Sequence, residues 1–168
     1  MKPFDLTMSY RRDADVWVYS LSSGGLNRLT FDGSAYPTWT PAGDRVAYMR
    51  GNQAVFTKSA DGTGAEEQLV APGSDALLPG SWSADGRTLA VSRVASAREI
   101  LLLTPGNEPR PFETDASAPA FSPDGRWIAY ASPASGNSSV FVRPASAAGK
   151  WQVSPEFGSY PRWSGDGR

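Results

Sequence analysis

The 168 residues carry 16 basic and 17 acidic side chains for a formal net charge of −1, which leaves no electrostatic footprint for nucleic acid or an anionic membrane. Cysteine and histidine are both absent, so a disulfide framework, a thiolate metal site and the usual neutral-pH general base are excluded. Seventeen glycines and fourteen prolines beside 11% aromatic residues describe an ordered chain of many short strands joined by tight turns.

Along the chain, residues 4–8 alternate apolar and polar side chains and predict a strand, and residues 15–19 and 27–30 predict two more. The start has no apolar h-region, and no window approaches the ~18 consecutive apolar residues of a membrane span. The expectation is therefore a soluble chain with no visible signal and no membrane insertion, cytoplasmic as written.

From residue 34 one pattern recurs. Trp39-Thr40-Pro41-Ala42-Gly43-Asp44-Arg45, Trp82-Ser83-Ala84-Asp85-Gly86-Arg87, Phe121-Ser122-Pro123-Asp124-Gly125-Arg126 and Trp163-Ser164-Gly165-Asp166-Gly167-Arg168 align, with leading aromatics 43, 39 and 42 residues apart. That period matches one four-stranded propeller blade. In each copy an aromatic ends a first strand and an Asp-Gly turn reverses the chain. A second, apolar strand follows at 46–49, 89–91 and 127–130, a third at 54–56, 100–103 and 140–142, and a short fourth at 68–70, 111–113 and 151–153. The inverted order Gly43-Asp44 predicts a somewhat different turn in the first copy.

The predicted fold is all-β: a β-propeller of four-stranded antiparallel blades, about four repeats in a single domain spanning 1–168. The blade segments are 1–33 plus 160–168, 34–71, 78–114 and 117–154. The first blade lacks an innermost strand, which Tyr160-Pro161-Arg162-Trp163 can supply by closing a four-bladed ring. The alternative is an arc that pairs with a second copy, by blade pairing or strand exchange, into a ring of about eight blades. Four repeats cut at equivalent points are also what a fragment of a larger protein presents.

The string Phe121-Ser122-Pro123-Asp124-Gly125-Arg126-Trp127-Ile128-Ala129-Tyr130 and its relatives resemble the WD40-like PD40 repeat of TolB-like β-propellers. The run from Leu29 to Pro41 is similar to the propeller region that follows some bacterial serine/threonine kinase domains. The resemblance implies a propeller, and a periplasmic place if the chain is part of a TolB-like parent. It implies no specific ligand, because such repeats serve envelope proteins, kinase sensor regions and peptidase gates alike. Kinase activity is excluded by the lack of a glycine-rich loop, a catalytic lysine and a His-Arg-Asp motif.

The recurrent Asp44, Asp85, Asp124 and Asp166 read as turn caps, far apart from copy to copy, rather than as metal ligands. Trp39, Trp82, Phe121 and Trp163 read as packing between blades, Trp17, Tyr48, Tyr130 and Phe141 as core, and Trp127 as partly exposed. No catalytic residue, cofactor or metal site is expected. Binding residues concentrate on loops held by a rigid scaffold. Here these are the inter-blade loops 31–36, 71–79, 114–118 and 155–160 and the second-to-third-strand loops 50–53, 93–98 and 132–138. They present Asp32, Tyr36, Arg50, Asp75, Arg93, Arg98, Asp115, Phe157 and Tyr160 as a candidate ligand-facing rim. The expected function is a noncatalytic interaction scaffold whose partner is an unknown protein, peptide or small polar ligand. The alternative is the accessory or gating propeller of an enzyme of the peptidase or glycosidase class.

Overall fold

The computed structural model describes residues 6–8, 15–51, 54–71, 73–134 and 136–167. Among them are fifteen strands and no helix: β1 Leu6–Met8, β2 Trp17–Tyr19, β3 Leu26–Arg28, β4 Ser34–Trp39, β5 Arg45–Arg50, β6 Ala54–Ser59, β7 Glu67–Val70, β8 Ala76–Trp82, β9 Leu89–Val94, β10 Arg98–Leu103, β11 Arg110–Thr114, β12 Ser117–Phe121, β13 Trp127–Ser132, β14 Ser139–Pro144 and β15 Trp151–Gln152. They form three four-stranded sheets, β4 to β7, β8 to β11 and β12 to β15, each in sequence order, and a three-stranded sheet of β1 to β3. The expected strand at 4–8 is seen as β1; Phe4 and Asp5 fall outside the described residues.

Strand burial follows position in the sheet. The second strands β5, β9 and β13 carry Val-Ala-Tyr-Met, Leu-Ala-Val-Ser and Ile-Ala-Tyr-Ala buried on both faces, as a strand enclosed on both sides requires. The fourth strands β7 and β15 are exposed or half-exposed. Small alanines in the second strands let neighbouring layers approach, and bulkier residues fill the remaining space.

The chain divides into two compact units, Met1–Pro79 and Gly80–Arg168. In the first, Val16, Val18, Leu29, Val46 and Tyr48 form one core, with Trp39 and Phe56 against it. In the second, Ala90, Ile100, Leu102 and Phe112 of one sheet meet Ile128, Tyr130 and Phe141 of the next. Gly80 of β8 packs directly against Pro119 of β12. A Cβ there would stand 2.8 Å from both Pro119 Cγ and the Pro119 carbonyl oxygen, contacts that backbone cannot relieve.

The hairpin turns are alike in all four copies. Gly43, Gly86, Gly125 and Gly167 take positive φ, and each donates its N–H to the carbonyl three residues earlier, at 2.8–2.9 Å. Glycine alone accepts that backbone at low cost. The first copy therefore does not have a different turn: Gly43 keeps the glycine position, and only the carboxylate is displaced, to Asp44.

Tyr160-Pro161-Arg162-Trp163 forms no strand, and the sheet of β1 to β3 holds three strands among the described residues.

Candidate rim and tryptophan cleft

Asp85 and Asp124 sit in their turns as expected. Ser83 and Ser122 donate to them at 2.6 Å, and the N–H groups of Arg87 and Arg126 add bonds of 3.0 Å. These bonds stabilise the carboxylate form and hold both groups low, Asp124 at about 2, with the serine hydroxyl the largest cause. Ser164 donates to Asp166 in the same way, and Thr40 to Asp44 at 2.9 Å. Among the described residues no group of three or more aspartates or glutamates is placed to hold a metal ion.

At the rim of the first unit, the structure brings Asp32 and Arg50 together. Arg50 Nε lies 2.8 Å from Asp32 Oδ2, and its guanidinium also holds Glu66, with Nη1 to Oε1 at 2.7 Å. Glu66, which the sequence did not single out, accepts a further bond of 2.7 Å from the Tyr48 hydroxyl. Arginine's fork holds the Glu66 carboxyl below its usual range against the opposing effect of burial. The Arg50 guanidinium also stacks 4.4 Å from the centroid of Phe56. These charges are thus committed to one another.

Tyr36 is different. It lies inside β4 rather than in the preceding loop, at a bulge between Ala35 and Thr38, and it is exposed with φ of 54°.

Asp75, just before β8, is half-buried and accepts a bond from Ser74 at 3.1 Å. In the second unit, Arg93 pairs with Glu99 at 2.8 Å, and Arg98 and Asp115 are exposed. Asp115 and Ala118 take φ of 48° and 53°, and Tyr160 takes 52°. The loop carrying Phe157 and Tyr160 is anchored by Gly158, whose N–H reaches the Ser138 carbonyl at 2.8 Å and whose missing Cβ makes room for Val140 and Ser154. Phe157 and Tyr160 are both strongly exposed. Tyr36, Ala118 and Tyr160 each directly precede a proline of the repeat. Left-handed backbone is an outlier for bulky residues and costs on the order of 1–3 kcal/mol each. The sequence shows the X-Pro pairs, yet proline disfavours only right-handed helix before it and does not foretell the left-handed region.

A second feature shares no lining residue with the rim and was missed by sequence reasoning. A cleft of about 790 Å³ is lined by Trp127, Trp151, Trp163, Val142, Val153 and the turns of Asp124 and Asp166, so these two turn aspartates share one cleft rather than standing apart. Trp127 and Trp151 meet edge to face at 5.7 Å, and Trp163 donates its indole N–H to the Ala120 carbonyl at 2.9 Å. That bond bears out packing between repeats for Trp163. Trp82 is buried, whereas Trp39 and Phe121 are partly buried. Tyr48, Tyr130 and Phe141 are core, but Trp17 is 37% exposed: its neighbours Val16 and Val18 point into the core and alternation turns Trp17 outward.

Repeated four-stranded antiparallel sheets with their Asp-Gly turns have clear structural counterparts. The chain superposes on the putative TolB from Agrobacterium tumefaciens with a TM-score of 0.81 at 15% identity, covering 96% of this chain and 63% of that one. The chain has a TolB-like propeller fold. TolB from Acinetobacter baumannii gives a TM-score of 0.76 at 19% identity, covering 92% of this chain and 41% of that one. An oligogalacturonate lyase in complex with manganese gives 0.65 at 16% identity, covering 91% and 45%. The chain thus spans between about two fifths and just under two thirds of the length of these TolB-like propellers. No family model matches this sequence, and no curated protein matches it. No helix among the described residues is long and apolar enough to cross a membrane.

Proposed function

We propose that the four sheets are blades of a noncatalytic binding propeller, and that the exposed rim loops of each unit receive a protein segment or peptide. The observation that supports this reading most is the pair Tyr36 and Tyr160, which occupy one repeat position, precede proline, hold strained backbone and stay exposed. Strain that persists at an exposed site is kept there by its surroundings and points to use, and tyrosine supplies large contact area at low entropic cost. Arg98, Asp115 and Phe157 add exposed charge and apolar surface.

Five carboxylates bear on the glycosidase alternative alone. Asp15, Glu66, Asp85, Glu113 and Asp124 are all held below their ordinary values by serine, arginine or lysine partners or backbone N–H groups. A glycosidase needs one carboxyl raised so that it carries a proton at neutral pH.

Selection of a random peptide display library on the immobilised chain tests the proposal. Peptides should be recovered whose affinity falls about tenfold or more on Tyr160→Ala or Tyr36→Ala. Recovered peptides indifferent to both substitutions would refute the rim, and turnover of oligogalacturonate or a glycoside panel would refute the noncatalytic reading.

A further inference from the structure

An Asp-Gly pair is prone to rearrange its own backbone, because glycine has no side chain to keep its amide nitrogen away from the preceding carboxyl. The sequence holds five such pairs, beginning at Asp32, Asp61, Asp85, Asp124 and Asp166. Rearrangement asks two things of the fold. The glycine N–H must be released by its acceptor, and the aspartate carboxyl must be able to turn toward it.

At the last four pairs the fold withholds both. Gly62, Gly86, Gly125 and Gly167 each donate their N–H to the carbonyl three residues earlier, at 2.8–3.0 Å. Their carboxylates are turned instead onto the hydroxyls of Ser59, Ser83, Ser122 and Ser164. Asp61, Asp85 and Asp124 also accept the backbone N–H two residues later, at 2.8–3.0 Å. Each group the reaction would use is thus tied into a capped turn.

Asp32-Gly33 differs on both counts. Among the described residues the Gly33 N–H meets no backbone carbonyl; its acceptor is Asp15 Oδ1 at 3.4 Å, a weak contact. The Asp32 carboxylate takes no backbone N–H, only the Ser34 hydroxyl at 3.3 Å and Arg50 Nε at 2.8 Å. Both residues are exposed, so water reaches them.

We propose that Asp32 is a site of spontaneous modification, converting to isoaspartate through a cyclic imide. The Gly33 nitrogen bonds to the side-chain carboxyl carbon of Asp32, and the amide hydrogen leaves with the carboxyl hydroxyl as water; Asp15 Oδ1 is the acceptor at that hydrogen. Water then opens the ring. Addition at the former side-chain carbonyl restores aspartate, whereas addition at the main-chain carbonyl leaves isoaspartate. Arg50 favours the ionised carboxylate, which is the unreactive form, so the conversion is slow. In the product the main chain runs through the old side-chain methylene and the free carboxylate sits directly on Cα. That shortened arm withdraws the carboxylate from Arg50, just ahead of Tyr36. The modification does not depend on the rim binding a peptide.

The test is to warm the full chain at neutral pH in heavy-oxygen water for several weeks and then digest it. Fragmentation mass spectrometry and labelling by an isoaspartate-specific methyltransferase locate the product. Isoaspartate should form at Asp32 about tenfold faster than at any other Asp-Gly pair, and Asp32→Glu, which needs a larger and slower-forming ring, should abolish it there. A parallel incubation in urea should bring all the pairs to comparable rates. Product that forms first at Asp61, Asp85, Asp124 or Asp166, or evenly across the pairs of the folded chain, overturns the inference. So does an unmodified Asp32, or a preference for Asp32 that persists unchanged in urea.

Discussion

The two units solve the same packing problem with different polar groups. Tyr48 stacks on Phe56 with ring centroids 6.3 Å apart at 20°, and Tyr130 stacks on Phe141 at 6.1 Å and 23°. The pairs occupy equivalent register positions. Around Tyr48 the polar shell is local: its hydroxyl donates to Glu66, which Arg50 holds together with Asp32. Around Tyr130 the carboxylate is Glu113, from the preceding sheet. It is gripped by Arg143 at 2.6 Å and Lys150 at 3.0 Å, and the Tyr130 hydroxyl is buried without a hydrogen bond. Burial raises both phenols, and a nearby glutamate raises each further. An aromatic pair dictated by strand alternation can thus be finished by any loop that delivers a carboxylate. In the second unit that carboxylate also ties two sheets together.

The contrast can be broken most strongly at the rings. Phe141→Ala should cost about 3–5 kcal/mol in urea unfolding, because the ring is enclosed between two sheets. Phe56→Ala, at a half-buried ring, should cost about 2 kcal/mol. Equal losses would show that the two stacks are energetically the same. A finer separation comes from the hydroxyls. Tyr48→Phe should lose about 1 kcal/mol with its bond to Glu66, whereas Tyr130→Phe should be neutral or slightly stabilising, since it deletes a buried hydroxyl that has no partner. A clear loss at Tyr130 would mean that the hydroxyl reaches Glu113 in solution.

The smallest effect concerns acid. Burial raises the Glu113 carboxyl, but the Arg143 and Lys150 bonds outweigh it; at Glu66 the Arg50 bond is the largest influence and also lowers the group. Carboxyls lowered in the folded state stabilise it above their ordinary value near 4.5, and that stabilisation disappears as pH falls through the lowered values. Glu113→Gln and Glu66→Gln should each flatten the acid limb of the stability profile, moving the unfolding midpoint by less than about one pH unit. Glu113→Gln should also loosen hydrogen-exchange protection on both of the sheets it joins, whereas the Glu66→Gln effect should stay within the β4 to β7 sheet.

Much of this molecule is written locally. Trp82-Ser83-Ala84-Asp85-Gly86 contains its own hairpin, because the serine and aspartate cap the turn and the glycine takes positive φ within five residues. Alternation in stretches such as Trp127-Ile128-Ala129-Tyr130 sets which side chains share a face. Even the displaced Asp44 leaves its turn intact, since Gly43 carries the backbone requirement. Sequence alone therefore determined the strands of the three four-stranded sheets, their order within each sheet and the repeat, whereas the strand expected at 160–163 does not form and the turn at Gly43 is not the different one expected. The rim was legible only as a set of loops. That Arg50 and Asp32 neutralise each other while Tyr36 and Tyr160 stand exposed in left-handed backbone depends on where other loops bring their charges, on the bulge beside Pro37 and on the loop anchored at Gly158.

Trp17 and Phe141 show where local information ends. They hold the same register position and the same alternation, yet one ring is enclosed and the other is open. Strand sequence decides which way a side chain points, whereas only the presence of a neighbouring sheet decides whether anything is there to cover it.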